Sequence, residues 1–457
     1  MSMNRDVMLR RTGAPRLARA ARRWLAMSGL ALLVSGCSLD GLLGNEELPE
    51  NVTDPAITKT PKGALRAYNG TVSQFRRAFN NFVVSSGRLT DELIFVSSVL
   101  GSTDPVDMRD LPESSENYGP YGDLNRLRGQ AMQAIGLQKD YAPDSLQALT
   151  GHLYTLQAYA EIFLADLYCS GIPLSTLDYD GDFTYRPGST STQVYEHALA
   201  LLDTASTFVG DSVRFKYLAQ VGRARALLNL GRFAEAAAAV ADVPDDFSYG
   251  VPYDSDTQQQ RNSFALDVTG QWSSSVGDVE GINGLDYSSS GDPRTRTNTV
   301  PGPNASTVQF PAKYNTTGTS PIVLASGIEA RLIEAEALLQ AGDPTWLDRL
   351  NHLRQAMWPT IVPAVGGPLP VLADPGTPDA RVDLLYRERA FWLFLTGQRQ
   401  GDLRRMIRHY GRQQDRIYPI GPYMSTPGQW YGSHVDLPVW ESERISNPHY
   451  DGCFSRS

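Results

Sequence analysis

The segment Arg381–Gly411 reads RVDLLYRERAFWLFLTGQRQGDLRRMIRHYG. Leu384, Leu385, Phe391, Trp392 and Leu395 recur at helical intervals and predict one apolar stripe. Gly397 is placed to stop that helix, because only glycine enters the left-handed region cheaply. Asp402 then reads as the cap of a second helix, with Leu403, Met406, Ile407 and Tyr410 as its stripe and Gly411 as its end. Arg399, between the two, reads either as a partner of Asp402 or as a donor to the terminal carbonyls of the first helix. The reading is two packed helices with a tight glycine corner.

Outward from this corner the same pattern recurs. Residues 61–84 place Leu65, Tyr68, Val72, Phe75, Phe79 and Phe82 on one helical face, and residues 144–169 do so with Leu149, Leu153, Leu156, Tyr159, Ile162, Phe163 and Leu167. Thr192–Phe208 predicts another helix. In Phe215–Val240, a helix over Ala219–Leu230 ends at Gly231 and a second begins near Phe233. Small and large residues fall there as in a tetratricopeptide pair, where close helix approach needs Ala or Gly on one side. Ile328–Gln355 repeats the unit, with Ala335, Leu338, Gly342 and Trp346-Leu347. The fold class is therefore all-α, with helix pairs over about 144–244 and 327–411.

Between those pairs lies 245–326, rich in Gly, Ser, Pro, Asp and Thr, which predicts a long irregular insertion carrying Tyr249, Tyr253, Trp272 and Tyr287. A second loop, 97–125, carries Tyr118 and Tyr121. Aromatic side chains on such loops suit stacking against a sugar or peptide, and equally suit pinning the loop to the scaffold. As ligand contacts, Trp272 and Tyr287 rank first, with Tyr118 and Tyr121 behind them.

Composition limits the function classes. The chain has 457 residues, 41% of them hydrophobic, which excludes a disordered or collagen-like protein. A formal charge of −9 argues against nucleic-acid binding. Seven arginines precede the apolar run Leu25–Val34, followed by Ser35-Gly36-Cys37, and this pattern describes a secretory signal over 1–36. Ten apolar residues are too few to span a bilayer, which needs about 20. Cys37 after Val-Ser-Gly resembles a bacterial lipobox, so its acylation would anchor the chain to a membrane through a flexible tether over 37–60. Removing 1–36 leaves 34 basic against 49 acidic residues, a net −15. So acidic a surface is repelled by anionic lipid, and the acyl chains must do the anchoring. Ser38, where Asp would favour the inner membrane in many bacteria, favours the outer one. Cys169 and Cys453 remain, either bridged in an oxidising compartment or buried as two thiols.

The corner resembles the signature of the SusD/RagB family of outer-membrane nutrient-binding lipoproteins. Glu388-Arg389, Gly397, Arg399, Asp402, Leu403 and Arg405 match it. So do Leu89-Thr90-Asp91-Glu92-Leu93, Asp292-Pro293-Arg294, Tyr418-Pro419-Ile420 and Asn447-Pro448, in the family's order. Trp392 and Thr396 stand where the family often has glutamates, and Gly421 replaces the second proline of Pro-Ile-Pro. Glu388, Gly397, Arg399, Asp402 and Arg405 read as caps, turns and packing residues. The resemblance implies a SusD-like domain over 61–457, lipid-anchored and facing the cell surface. It would capture an oligosaccharide or peptide for a SusC-like TonB-dependent transporter.

Catalytic patterns are missing from the sequence. The six histidines are scattered, with no His-Glu-x-x-His pair, no Gly-x-Ser-x-Gly elbow and no phosphate-binding Gly loop. Asp178, Asp180 and Asp182 alternate as calcium ligands would, but Phe183 and Ser189 fall where an EF-hand needs Gly and Glu, so they read as a solvated turn. The sequence thus predicts a binding protein with no cofactor and no metal. Two rivals stand beside that reading, a periplasm-facing tetratricopeptide scaffold and a surface glycoside hydrolase with paired carboxylates.

Overall fold

Thr60 starts the helical scaffold: its hydroxyl accepts from the Gly63 amide at 3.0 Å, and Pro61 fills the first turn, where a missing N–H costs nothing. The computed structural model describes residues 58–97, 101–111, 118–256, 261–262, 264, 272–302, 306–357 and 368–455. The signal segment, Cys37 and the tether up to residue 57 lie outside them.

From Thr60 onward α1 (Pro61–Leu89), α2 (Tyr121–Tyr141), α3 (Gln147–Leu167), α4 (Ser191–Phe208), α5 (Val213–Asn229) and α6 (Phe233–Ala239) pack each against the next. After the insertion, α7 (Gly327–Gln340) packs on α6, α8 (Trp346–His352) and α9 (Pro378–Trp392), and α10 (Arg399–Tyr410) reaches back to α1, α3 and α5. Hydroxyl caps recur where chain direction changes. Thr190 forms a capping box with Gln193 at α4, Ser326 caps α7, and Thr377 caps α9.

Two apolar cores hold the helices. In the first, Phe75, Phe79 and Phe82 of α1 meet Phe163 of α3, whose ring lies 4.0 Å from that of Phe82. Each such ring contributes about 1.5–3 kcal/mol by leaving water. The second gathers Leu332 and Ala335 of α7, Trp346 and Leu350 of α8, Leu385 of α9, and Leu403 and Met406 of α10. The corner helices therefore stand between both cores.

Strands occur among the described residues as five antiparallel pairs. Two of them, β2 (Ile172–Pro173) with β5 (Gly188–Ser189) and β3 (Thr176–Leu177) with β4 (Phe183–Thr184), decorate the α3–α4 connection. The other three add short strands to the loop-rich insertion. β6 (Ser248–Val251) pairs with β10 (Ile322–Ser326), and β8 (Thr297–Pro301) forms a ribbon with β9 (Thr307–Pro311). β7 (Trp272–Val276) pairs with β1 (Leu93–Ser97), which follows α1. The insertion is stitched into the scaffold at its start, middle and end.

The glycine corner also differs from its reading. α9 stops at Trp392, and Leu395 itself enters the left-handed region (φ +50°) before Gly397 (φ +81°). A Cβ on Gly397 would lie 2.6 Å from the Phe82 ring. Gly397→Ala is expected to lower stability by about 1–3 kcal/mol, seen as a lower urea midpoint; an unchanged midpoint would mean that the corner relaxes freely. Asp402 is not a cap either. Gln398 occupies that position, and Asp402 lies buried inside the first turn of α10.

Cys169, at the end of α3, and Cys453 are joined, with Cα atoms 5.8 Å apart. Beside them the Ser170 amide donates to Ser455 and the Phe454 amide to Ser170, which fastens the chain's last described residues to the scaffold.

Candidate functional site

Buried ion pairs explain why the corner needs its charged residues. Arg389 donates to both oxygens of Asp402 at 2.9 and 2.8 Å, and Arg405 bridges Asp402 to Glu336 of α7. Burial alone would raise the Asp402 and Glu336 carboxyls, yet the two guanidinium groups outweigh it and hold both below their ordinary values. Glu388 accepts from Arg294 of the Asp-Pro-Arg turn and from Arg354, both at 2.7 Å. Arg399 does not pair with Asp402. It makes a two-pronged contact with Asp91, after α1, at 2.7 and 2.8 Å. Asp91 also accepts from the Leu285 amide and the Tyr287 hydroxyl of the insertion. The scattered signature residues thus meet in three buried ion-pair groups around the corner, centred on Asp402, Glu388 and Asp91.

The aromatic candidates fare differently from expectation. Tyr287 is 1% exposed, its ring stacked between Phe391 and Phe394 and its hydroxyl spent on Asp91. Tyr121 opens α2 and is 2% exposed; it packs edge-on to Tyr168 and donates to Glu443 at 3.1 Å. Tyr118 is buried, and its carbonyl accepts from Tyr168 and Trp440. All three are buried in the scaffold, which corrects the expectation of solvent-facing rings on these loops. Tyr249 and Tyr253 are buried as well. Trp272 begins β7 opposite Ser97, and its side chain lies outside the described residues.

A cleft of about 560 Å³ opens beside the corner instead. Its floor is Phe391–Leu393 and Thr396; one wall is the base of the β8–β9 ribbon, with Arg296, Lys313 and Tyr314, and the other is Asp246–Ser248 with the start of α7. That volume falls in the ordinary range of small-molecule sites. Side chains brace the strained 393–397 turn from below. Tyr314 donates to the Leu395 carbonyl at 2.8 Å, Lys313 donates to the Phe394 carbonyl, and Glu92 accepts from the Leu395 amide at 2.8 Å. Burial pushes Glu92 up to about 8 and the Lys313 ammonium down to about 8. Trp392 and Thr396, the departures from the expected glutamates, both line this cleft. Nothing in the sequence singled out Arg296, Lys313 or Tyr314; only the nearby Asp-Pro-Arg turn hinted at the place.

The Asp178–Asp182 turn closes on itself, Asp178 accepting from the amides of Asp180 and Asp182 while Lys59 pairs with Asp180. Among the described residues no group of three or more His, Cys, Asp or Glu side chains is placed to hold a metal ion. Nor, among them, is any helix long and apolar enough to cross a membrane.

No protein-family model matches the chain, and no curated protein matches it. Solved structures do. A SusD-like carbohydrate binding protein from Bacteroides vulgatus shares 15% identity at a TM-score of 0.62, covering 86% of this chain and 97% of its own. NanU from B. fragilis shares 13% at 0.60, with 90% and 100% covered. A SusD superfamily protein from Bacteroides fragilis shares 18% at 0.61, with 86% and 99% covered. The architecture built above, from the helix pairs to the inserted ribbons, is the SusD-like fold.

Proposed function

We propose that this chain is a nutrient-binding lipoprotein that captures an oligosaccharide in the cleft beside the corner and delivers it to a SusC-like TonB-dependent transporter. The observation that carries the reading is the match of fold over 97% of the length of a SusD-like carbohydrate binding protein, together with a cleft of saccharide size in this chain. Cys37 would hold the protein at the outer membrane, facing the cell surface. Function by capture alone is physically sufficient, since a binder tethered beside a pore raises the local concentration of its cargo without chemistry. A peptide cargo is the other ligand the cleft admits by size.

The test uses the full-length lipoprotein, tagged and extracted in detergent from outer membranes. We expect a stoichiometric barrel protein to co-purify, and saturable binding of at least one oligosaccharide class by calorimetry. Recovery with periplasmic proteins only, together with protection from protease added to intact cells, would replace this reading with the periplasmic scaffold. Turnover of the bound sugar would replace it with the hydrolase.

A further inference from the structure

The charges around the cleft do not balance, and the imbalance lies on one wall. Arg296 and Ala312 close the base of the β8–β9 ribbon through the Ala312 amide, which donates to the Arg296 carbonyl at 2.9 Å. Lys313 is the next residue, and both cations line the cleft at the ribbon's open end. Arg296 is exposed and has no ion-pair partner among the described residues. Lys313 runs its stem along the surface and turns its ammonium inward to a backbone carbonyl, which carries no neutralising charge. Glu92, the carboxyl that acts on it, is buried and forms no ion pair with it among the described residues.

The remaining charges at the cleft are already matched. Arg294 is neutralised by Asp292 and Glu388, Glu329 by Arg225, and Asp245 by Arg331. Only Asp246, exposed on the opposite wall, stands against the two cations. The floor between the walls is apolar and aromatic, with Phe391, Trp392 and Leu393. A ligand that satisfies this arrangement brings one negative group to the ribbon wall and an apolar ring face to the floor. An anion held by a guanidinium and a desolvated ammonium gains charge-assisted hydrogen bonds that a neutral hydroxyl cannot make.

We infer that the cleft selects acidic saccharides, whose carboxylate pairs with Arg296 and Lys313. This inference rests on the saccharide-binding reading above and names the class of its ligand.

The test is calorimetry on the full-length lipoprotein in detergent, with uronate oligosaccharides of several backbones, each beside its methyl ester. Esterification removes the charge and keeps the ring. At least one acid is expected to bind tenfold or more tighter than its ester, with the preference shrinking as salt screens the charges. Arg296→Glu, on an exposed side chain that supports no other part of the fold, is expected to abolish the preference, and Lys313→Met to reduce it. Acid and ester binding equally in every pair, or a preference that survives Arg296→Glu, would overturn the inference while leaving saccharide binding intact. Binding of neither acids, esters nor neutral glucan oligomers would overturn both readings.

Discussion

Arg399→Ala is expected to lower the stability of the folded protein by about 3–5 kcal/mol, because it leaves the buried Asp91 carboxylate without its cation. Both side chains are almost fully enclosed, and the two-pronged contact is the only ion pair Asp91 makes among the described residues. The remaining donors to Asp91, the Leu285 amide and Tyr287 hydroxyl, are neutral and lie at 3.0 and 3.3 Å. Arg399 is itself held well above its ordinary range, burial opposing and Asp91 more than compensating, which marks a guanidinium dependent on its partner. Exposed pairs behave differently. Arg412 with Asp383, whose carboxylate is 63% exposed, is worth about 0–1 kcal/mol. Urea unfolding of Arg399→Ala, Arg412→Ala and wild type would rank them in that order. Because Asp91 also anchors residues 285–287, limited proteolysis of Arg399→Ala should open first in the insertion. A loss below about 1 kcal/mol would show that the corner tolerates an unpaired charge and that the network is not what holds it.

The same pair shows what the sequence could and could not reveal. Helices were legible because their signals are local: Phe75, Phe79 and Phe82 repeat within two turns, and Gly231 and Gly342 stop their helices where the periodicity breaks. The partner of Arg399 lies 308 positions away, so its neighbour Asp402 looked like the natural choice. Asp402 in turn resembled a cap because acids at helix starts usually are caps, whereas here it serves two arginines across the core. The loop tyrosines misled for a related reason. An aromatic among Gly, Ser and Asp looks solvent-facing, and only the pairing of β7 with β1 shows that the insertion folds back and buries Tyr287. Its strands are four or five residues long and rich in Ser and Thr, too short for an alternating pattern to register. The cleft escaped notice because Arg296, Lys313 and Trp392 come from three segments and mean nothing until the corner assembles them.

Glu280→Gln is expected to make the protein more stable than wild type at pH 8.5 and to flatten a loss of stability that wild type suffers between about pH 5 and 8.5. Asp107 and Glu280 are both completely buried, on the 104–111 turn and the 277–284 loop. Asp107 accepts from the Phe95 amide at 2.8 Å and from the Tyr423 hydroxyl, and Glu280 accepts from the Tyr431 hydroxyl at 2.8 Å. Asp107 Oδ1 and Glu280 Oε2 have no donor among the described residues, and the charge of Asp107 raises Glu280, which favours a proton held between the two carboxyls. Burial pushes Asp107 up to about 7, with Asp104 adding to the rise and Tyr423, Phe95 and Arg88 opposing it. Burial raises Glu280 further, helped by the charges of Asp107 and Asp91 and only partly offset by Tyr431. Since the folded values exceed the unfolded ones of about 3.9 and 4.3, the fold favours the protonated pair. That stability is fully present below about pH 4 and is lost as pH rises through 7. Acid-side losses come instead from Asp402, Glu336 and Glu161, all held low, so the wild-type optimum lies between the two regimes. A glutamine at 280 donates to Asp107 at every pH and still accepts from Tyr431, so the shared proton is no longer needed. The loss should also begin locally. Tyr423 and Tyr431 tie down the 421–432 segment, which carries the 65% exposed Trp430, and their amides bond to Gln429 and Gly421. Hydrogen exchange at those two amides should quicken above pH 7, beyond the base-catalysed rise seen elsewhere, in wild type and not in Glu280→Gln. Parallel stability curves for the two proteins from pH 5 to 8.5 would mean that no proton is shared and that the carboxyls carry their charges inside the fold.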